Sequence, residues 1–121
     1  ENHHYSSGDI MEKDLTILGC ESNLIRKIKE CILRHRGSKN LTPITLEEKV
    51  VASADAMSTI ANLSLLWYAS KFKHNLDNDF DARNKVIEKL EKAFDKLMPE
   101  ARDLIENIYK VEMTFLEDGH I

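Results

Sequence analysis

Apolar residues along this chain recur at helical spacing, and no stretch shows a convincing period of two. A first helix is predicted from about Ser7 to Leu18, with Ile10, Met11, Leu15 and Leu18 apolar and Gly19 as its stop. Ser6 and Asp9 have the Ser-x-x-Asp form of a capping arrangement at its entry. A second helix runs from about Ser22 to Arg36. Leu24, Ile28, Cys31 and His35 make one stripe along it, Ile25 and Ile32 widen the stripe, and Gly37 ends it. After the loop Gly37 to Pro43, Thr45 with Glu48 reads as a capping box. It opens a third helix, apolar on most sides as far as Tyr68. Lys71 to Asp79 is a polar linker. A fourth helix from about Asp79 to Met98 turns Ile87, Leu90, Phe94 and Leu97 inward. Pro99 sits in the first turn of a fifth, whose apolar side is Leu104, Ile105, Ile108, Val111, Phe115 and Leu116. The expectation is an all-α bundle of about five helices. It forms one domain over residues 1–121, with site-bearing helices in 1–70 and a C-terminal helical hairpin over 79–118.

One stretch breaks the ordinary balance of polar and apolar residues. Val50 to Tyr68 holds a single ionisable residue, Asp55, in nineteen positions. Its length raises the question of a membrane span, but Ser53, Asp55, Ser58, Thr59, Asn62 and Ser64 argue against one. The run reads as a buried central helix. A carboxylate buried there loses hydration worth several kcal/mol, roughly, unless a metal, a cation or hydrogen-bond donors offset the loss.

Composition narrows the class. The chain has 121 residues, of which 31% are charged and 42% hydrophobic, as in a soluble globular domain. The formal charge of −4 and the absence of a dense Lys/Arg block exclude a nucleic-acid footprint, so RKIK at 26–29 is a solvated helix face. Two cysteines, Cys20 and Cys31, suit a reduced cytoplasmic setting better than a disulfide scaffold. There is no signal-peptide pattern. A start at Glu1 rather than Met implies further residues upstream.

Several chemistries have no motif here. A Gly-rich phosphate loop, Cys-x-x-Cys and Gly-x-Ser-x-Gly are all missing from the sequence. The carboxylates of DNDFD at 77–81 resemble a calcium-loop start but lack its glycine at position six and glutamate at position twelve, so they read as a helix entry. Three residues stand out by position. Asp55 is mid-helix in apolar surroundings, His35 lies on an apolar helix face, and His4 precedes a helix. Each also has an ordinary structural role open to it. Asp55 can cap a neighbouring helix or pair with Arg34 or Lys49, His35 can complement a helix dipole, and His4 can be a surface residue.

Three segments together resemble the HD superfamily of metal-dependent phosphohydrolases. HHYSSGDI at 3–10 is similar to the family's His-x-x-x-Gly segment, with His4 and Gly8 in register. CILRHRGS at 31–38 is similar to its His-Arg-Gly segment, and TLEEKVVASADAM at 45–57 to the helix bearing its final metal-binding aspartate. The tail NKVIEKLEKAFDKLMPEARDLIENIY also resembles the last two helices of small members. The resemblance implies an HD-like helical bundle that hydrolyses a phosphate ester or nucleotide with a divalent ion (Mn, Fe, Mg or Zn). It implies Asp55 as catalytic metal ligand, His35 and His4 as further metal ligands, and Arg36 beside the substrate phosphate. The chain departs from the family in one large respect: it contains no His-Asp dipeptide, which the family places before the position of His4. Ser53 and Ser58 also stand where many members have Asp. Hydrolysis by this chain alone is therefore expected to be weak or absent. The alternative is a non-catalytic helical module with an HD-like fold, which binds a partner or self-associates through an apolar surface.

Overall fold

The computed structural model describes residues 3–37, 41–73 and 78–119, with the side chains of His3 and His4 left out. Among them there are six α-helices and no strand, as the helical spacing predicts. They are α1 (His3–Ile17), α2 (Ser22–Arg34), α3 (Leu46–Ile60), α4 (Leu63–Tyr68), α5 (Asp79–Asp95) and α6 (Pro99–Glu117), and a π-helical turn (Ala69–Lys73) follows α4. The chain divides into two compact units, Glu1–Ala52 and Ser53–Ile121.

In the first unit α1 and α2 pair as a helical hairpin. α1 presents Gly8, Met11 and Leu15, at i, i+3 and i+7, as its least exposed face. Gly8 is buried because α2 comes close there. A Cβ at Gly8 would lie 3.5 Å from Cγ of Lys29, an ordinary contact. The Lys29 ammonium in turn bonds Glu12 and sits 3.0 Å from Asp9, and these carboxylates hold its pKa above the ordinary value. The helix starts at His3, so Ser6 and Ser7 lie within it and the Ser6–Asp9 cap does not form. Packing against α2 extends it beyond the turn that local capping favours. At the other end Gly19, at φ 77, closes a Schellman motif: the N–H of Cys20 donates to Leu15 at 3.0 Å and that of Gly19 to Thr16 at 3.1 Å.

Because Gly8 has room for a methyl group and a helical φ, Gly8→Ala is expected to stabilise the hairpin by about 0.5–1 kcal/mol, through lost unfolded-chain entropy. A higher midpoint in urea, followed by far-UV circular dichroism, is the outcome to look for. A lower one would mean that α2 cannot give way to the added methyl.

The second unit holds the larger core. Ile60, Val86, Leu90, Leu97, Ile105 and Leu116 are its buried centre. α5 opens with Asn78, whose side chain accepts from the Phe80 N–H at 2.8 Å, and Asp79 and Asp81 fall in its first turn. The carboxylate run is thus a helix entry over its described part, and Asp77 lies outside the described residues. α5 packs on α6, where the Phe94 and Tyr109 rings stack at 4.1 Å. Ser53, nearly inaccessible, accepts a hydrogen bond from the N–H of Met98, the residue before α6, at 3.0 Å.

The third predicted helix is two. α3 ends at Ile60, and α4 with its π turn leaves it at 75°. Asn62 makes the break. Its side chain donates to the Ser58 carbonyl at 2.7 Å, while its own carbonyl accepts from the N–H groups of Leu65 and Leu66 at 3.1 Å. Short polar side chains that bond nearby carbonyls compete with the helical ladder in this way. Among the described residues no single helix is long and apolar enough to cross a membrane.

Candidate functional site

The buried carboxylate of α3 is Glu48, and Asp55 is exposed. Glu48, Ala52, Ala56 and Ile60, spaced by four, form the inward stripe of this helix, with Ser53 beside it. Asp55 lies roughly 80° around the axis from the centre of that stripe. Its apolar sequence neighbours do not surround it, because alanines occupy the inner and outer faces alike: Ala54 is exposed and Ala56 buried.

Glu48 keeps its charge through the capping box. Its Oε2 accepts from the N–H of Ile44 at 2.7 Å and of Thr45 at 3.2 Å, and its own N–H donates to Oγ1 of Thr45 at 3.3 Å. Arg34 Nε stands 3.8 Å away and bonds Glu30 at 2.9 Å. The Ile44 N–H is the largest cause holding the Glu48 pKa below its ordinary value; burial opposes it, and the Thr45 N–H and Arg34 charge add to it.

A cleft of about 290 Å³ adjoins this group, lined by Arg26, Lys27, Glu30, Cys31, Thr45, Glu47 and Glu48. Burial, then the charges of Glu48 and Glu47, push the Cys31 thiol up from its ordinary pKa. A thiol in acidic, desolvated surroundings is a poor nucleophile at neutral pH. Arg26 is tied to Asn23 at 2.9 Å. Two cations and three carboxylates line the cleft, a mixture that gives no activated nucleophile and no single-sign field for a phosphate.

The residues that the resemblance implies as metal ligands fall in both units. His35 is half-buried at the end of α2, and its Nδ1 lies 2.5 Å from the Ile32 carbonyl. That carbonyl can only accept, so Nδ1 carries the proton. Arg36 beside it is exposed. Both belong to the first unit and Asp55 to the second. The His4 side chain lies outside the described residues. Among the described residues no group of three His, Cys, Asp or Glu is placed to hold a metal ion.

The other candidate surface is on α6. Its apolar residues divide between two faces. Ala101, Ile105, Met113 and Leu116 enter the core. Leu104, Ile108, Val111 and Phe115 remain 76%, 46%, 69% and 40% exposed. The sequence pattern groups these four with Ile105 and Leu116 on one apolar side, and the structure divides that side in two. A helix this rich in apolar residues has more such surface than one neighbouring helix can cover. A shallow depression of about 390 Å³ lies along the same face, at Lys110, Val111, Thr114, Phe115 and Asp118. No family model, curated protein or solved structure matches this chain.

Proposed function

We propose that the chain is a helical interaction module whose outward apolar faces bind another protein helix. The exposed row on α6 carries this reading. It is continuous over three turns of a regular helix, and apolar rows of that length on a protein surface mark association sites. The hairpin α1–α2 supports it as well, since among the described residues Ile25 is the only apolar side chain of those two helices that is buried. Two free cysteines, Cys20 and Cys31, agree with a reducing, cytoplasmic location. The test is a photo-crosslinking residue placed at Val111, with the same residue at the exposed polar position Ser58 as control, in cells making the protein. Adducts heavier than the 13.9 kDa chain are expected from position 111 and not from 58. An absence of adducts at 111 would overturn the reading.

One observation keeps a second reading, the HD-type phosphohydrolase. The Asp55 side chain faces solvent, with no hydrogen bond or ion pair to it recorded among the described residues, so it is available to a divalent ion. On this reading Mn, Fe, Mg or Zn would be held by Asp55, His35 and His4, with Arg36 near a phosphate ester or nucleotide. Three ligands without a His-Asp pair support little turnover, so hydrolysis of p-nitrophenyl phosphate with Mn²⁺ should stay at background. Asp55→Ala should change stability by no more than about 0.5 kcal/mol, as for an exposed helix position. Mn²⁺-dependent turnover that Asp55→Ala abolishes would favour the enzyme over the module.

A further inference from the structure

Leu104, Ile108, Val111 and Phe115 follow one another at intervals of four, three and four residues. This is the spacing of a coiled-coil seam, the pattern that one helix offers to another. A seam alone does not say what covers it; the charges beside it do. α6 carries five acids against two bases, net −3. Both bases are engaged. Lys110 pairs with Glu106 at 2.9 Å, and Arg102 lies over the Phe94 ring while its Nε donates to the Leu97 carbonyl at 3.2 Å.

Among the acids, Glu112 stands apart. It is one turn from Ile108 and nearly one from Phe115, on the border between seam and core. Its Oε2 is buried and has no hydrogen-bond partner. Burial alone pushes its pKa up from the ordinary carboxylate value. A carboxylate oxygen kept in this condition is a cost that a cation arriving from outside would relieve. A second copy of α6 would bring the same net negative charge to the seam.

We propose that the outer face of α6 docks an amphipathic helix of another protein, with its apolar stripe on Leu104, Ile108 and Val111 and a Lys or Arg on Glu112. This rests on the interaction-module reading and names the partner's chemistry. Two probe peptides of about 14 residues, four helical turns, test it. They share a leucine seam and differ only in flanks of Lys or of Glu, and each is titrated into the full chain by calorimetry. The Lys-flanked peptide should bind, and the Glu-flanked one at least about tenfold more weakly. Val111→Asp should abolish binding. Glu112→Gln should weaken the Lys-flanked peptide about tenfold while the thermal midpoint stays equal or rises, a combination that a purely structural glutamate would not produce. Leu104→Ser serves as a second seam variant if Val111→Asp loses its helical circular dichroism. Equal affinity for both peptides, binding that survives the seam variants, or no binding of either overturns the proposal. Adducts at position 111 together with equal peptide affinities would leave the module reading standing and remove only this one.

Discussion

Replacing Leu90 by Ala is expected to destabilise the protein by about 3 kcal/mol, while Leu104→Ala, on the neighbouring helix, changes it by no more than about 0.5 kcal/mol. The two leucines differ in where their side chains end. Leu90 is 0% exposed, among Ile60, Val86 and Leu116 of the main core. Truncating it removes transfer free energy and leaves a cavity that fixed helices cannot close. Leu104 is 76% exposed and gives up little by losing its methyl groups. In a unit of this size the core substitution should lower the thermal midpoint by more than about 10 °C. Differential scanning calorimetry of both variants checks the pair. A large loss for Leu104→Ala would mean that the outer face of α6 is packed in solution, and it would remove the basis for reading that face as a docking surface.

Glu48→Ala should cost about 1–2 kcal/mol, the range of a capping interaction at a buried helix start. The substitution leaves the N–H groups of Ile44 and Thr45 without their acceptor and deprives Arg34 of one of two carboxylates. The effect depends on pH with a definite sign. The folded pKa of Glu48 is depressed, so the unfolded chain binds the proton more readily. The stabilisation is fully present above the ordinary value of 4.5 and is lost as pH falls through the lower, folded value. Glu88, between Lys85 and Lys92 and held down to about 2, also titrates below the ordinary carboxylate value and obscures the pH profile of the wild type taken alone. The informative quantity is the difference in urea midpoint between wild type and Glu48→Gln. It should be constant above about pH 5 and close below it. A difference that persists at low pH would mean that the Glu48 contribution is steric rather than ionic.

The parts of this structure readable from the sequence are those set by local chemistry. Gly19 and Gly37 end α1 and α2 at positive φ, Pro99 opens α6, and Thr45 with Glu48 forms the capping box. Each depends on residues within one turn, so a short window of sequence holds the whole cause. What could not be read depends on direction. The alanines around Asp55 made that residue look enclosed, yet a residue's burial depends on the side of the helix it occupies and not on its neighbours in sequence. α6 has apolar residues around more than half its circumference, and nothing local tells Ile105, in the core, from Ile108, outside it. The break at Asn62 was hidden for a related reason. One amide side chain redirected the backbone inside a run whose hydropathy does not change. Glu48 was legible as a cap, but its burial was not.

That break also orders the motions of the second unit. α4 is six residues long, has no fully buried side chain, and passes into a π turn whose buried Ser70 hydroxyl lacks a partner. So short a helix retains few internal hydrogen bonds, and its Leu63, Leu66 and Trp67 pack against the main core only in part. Its amides should exchange with deuterium well before those of α5 and α6 around Leu90 and Ile105. Opening of the segment Leu63–Lys73 while the main core stays shut would give a protease, a chaperone or a binding partner accessible backbone within an otherwise folded unit.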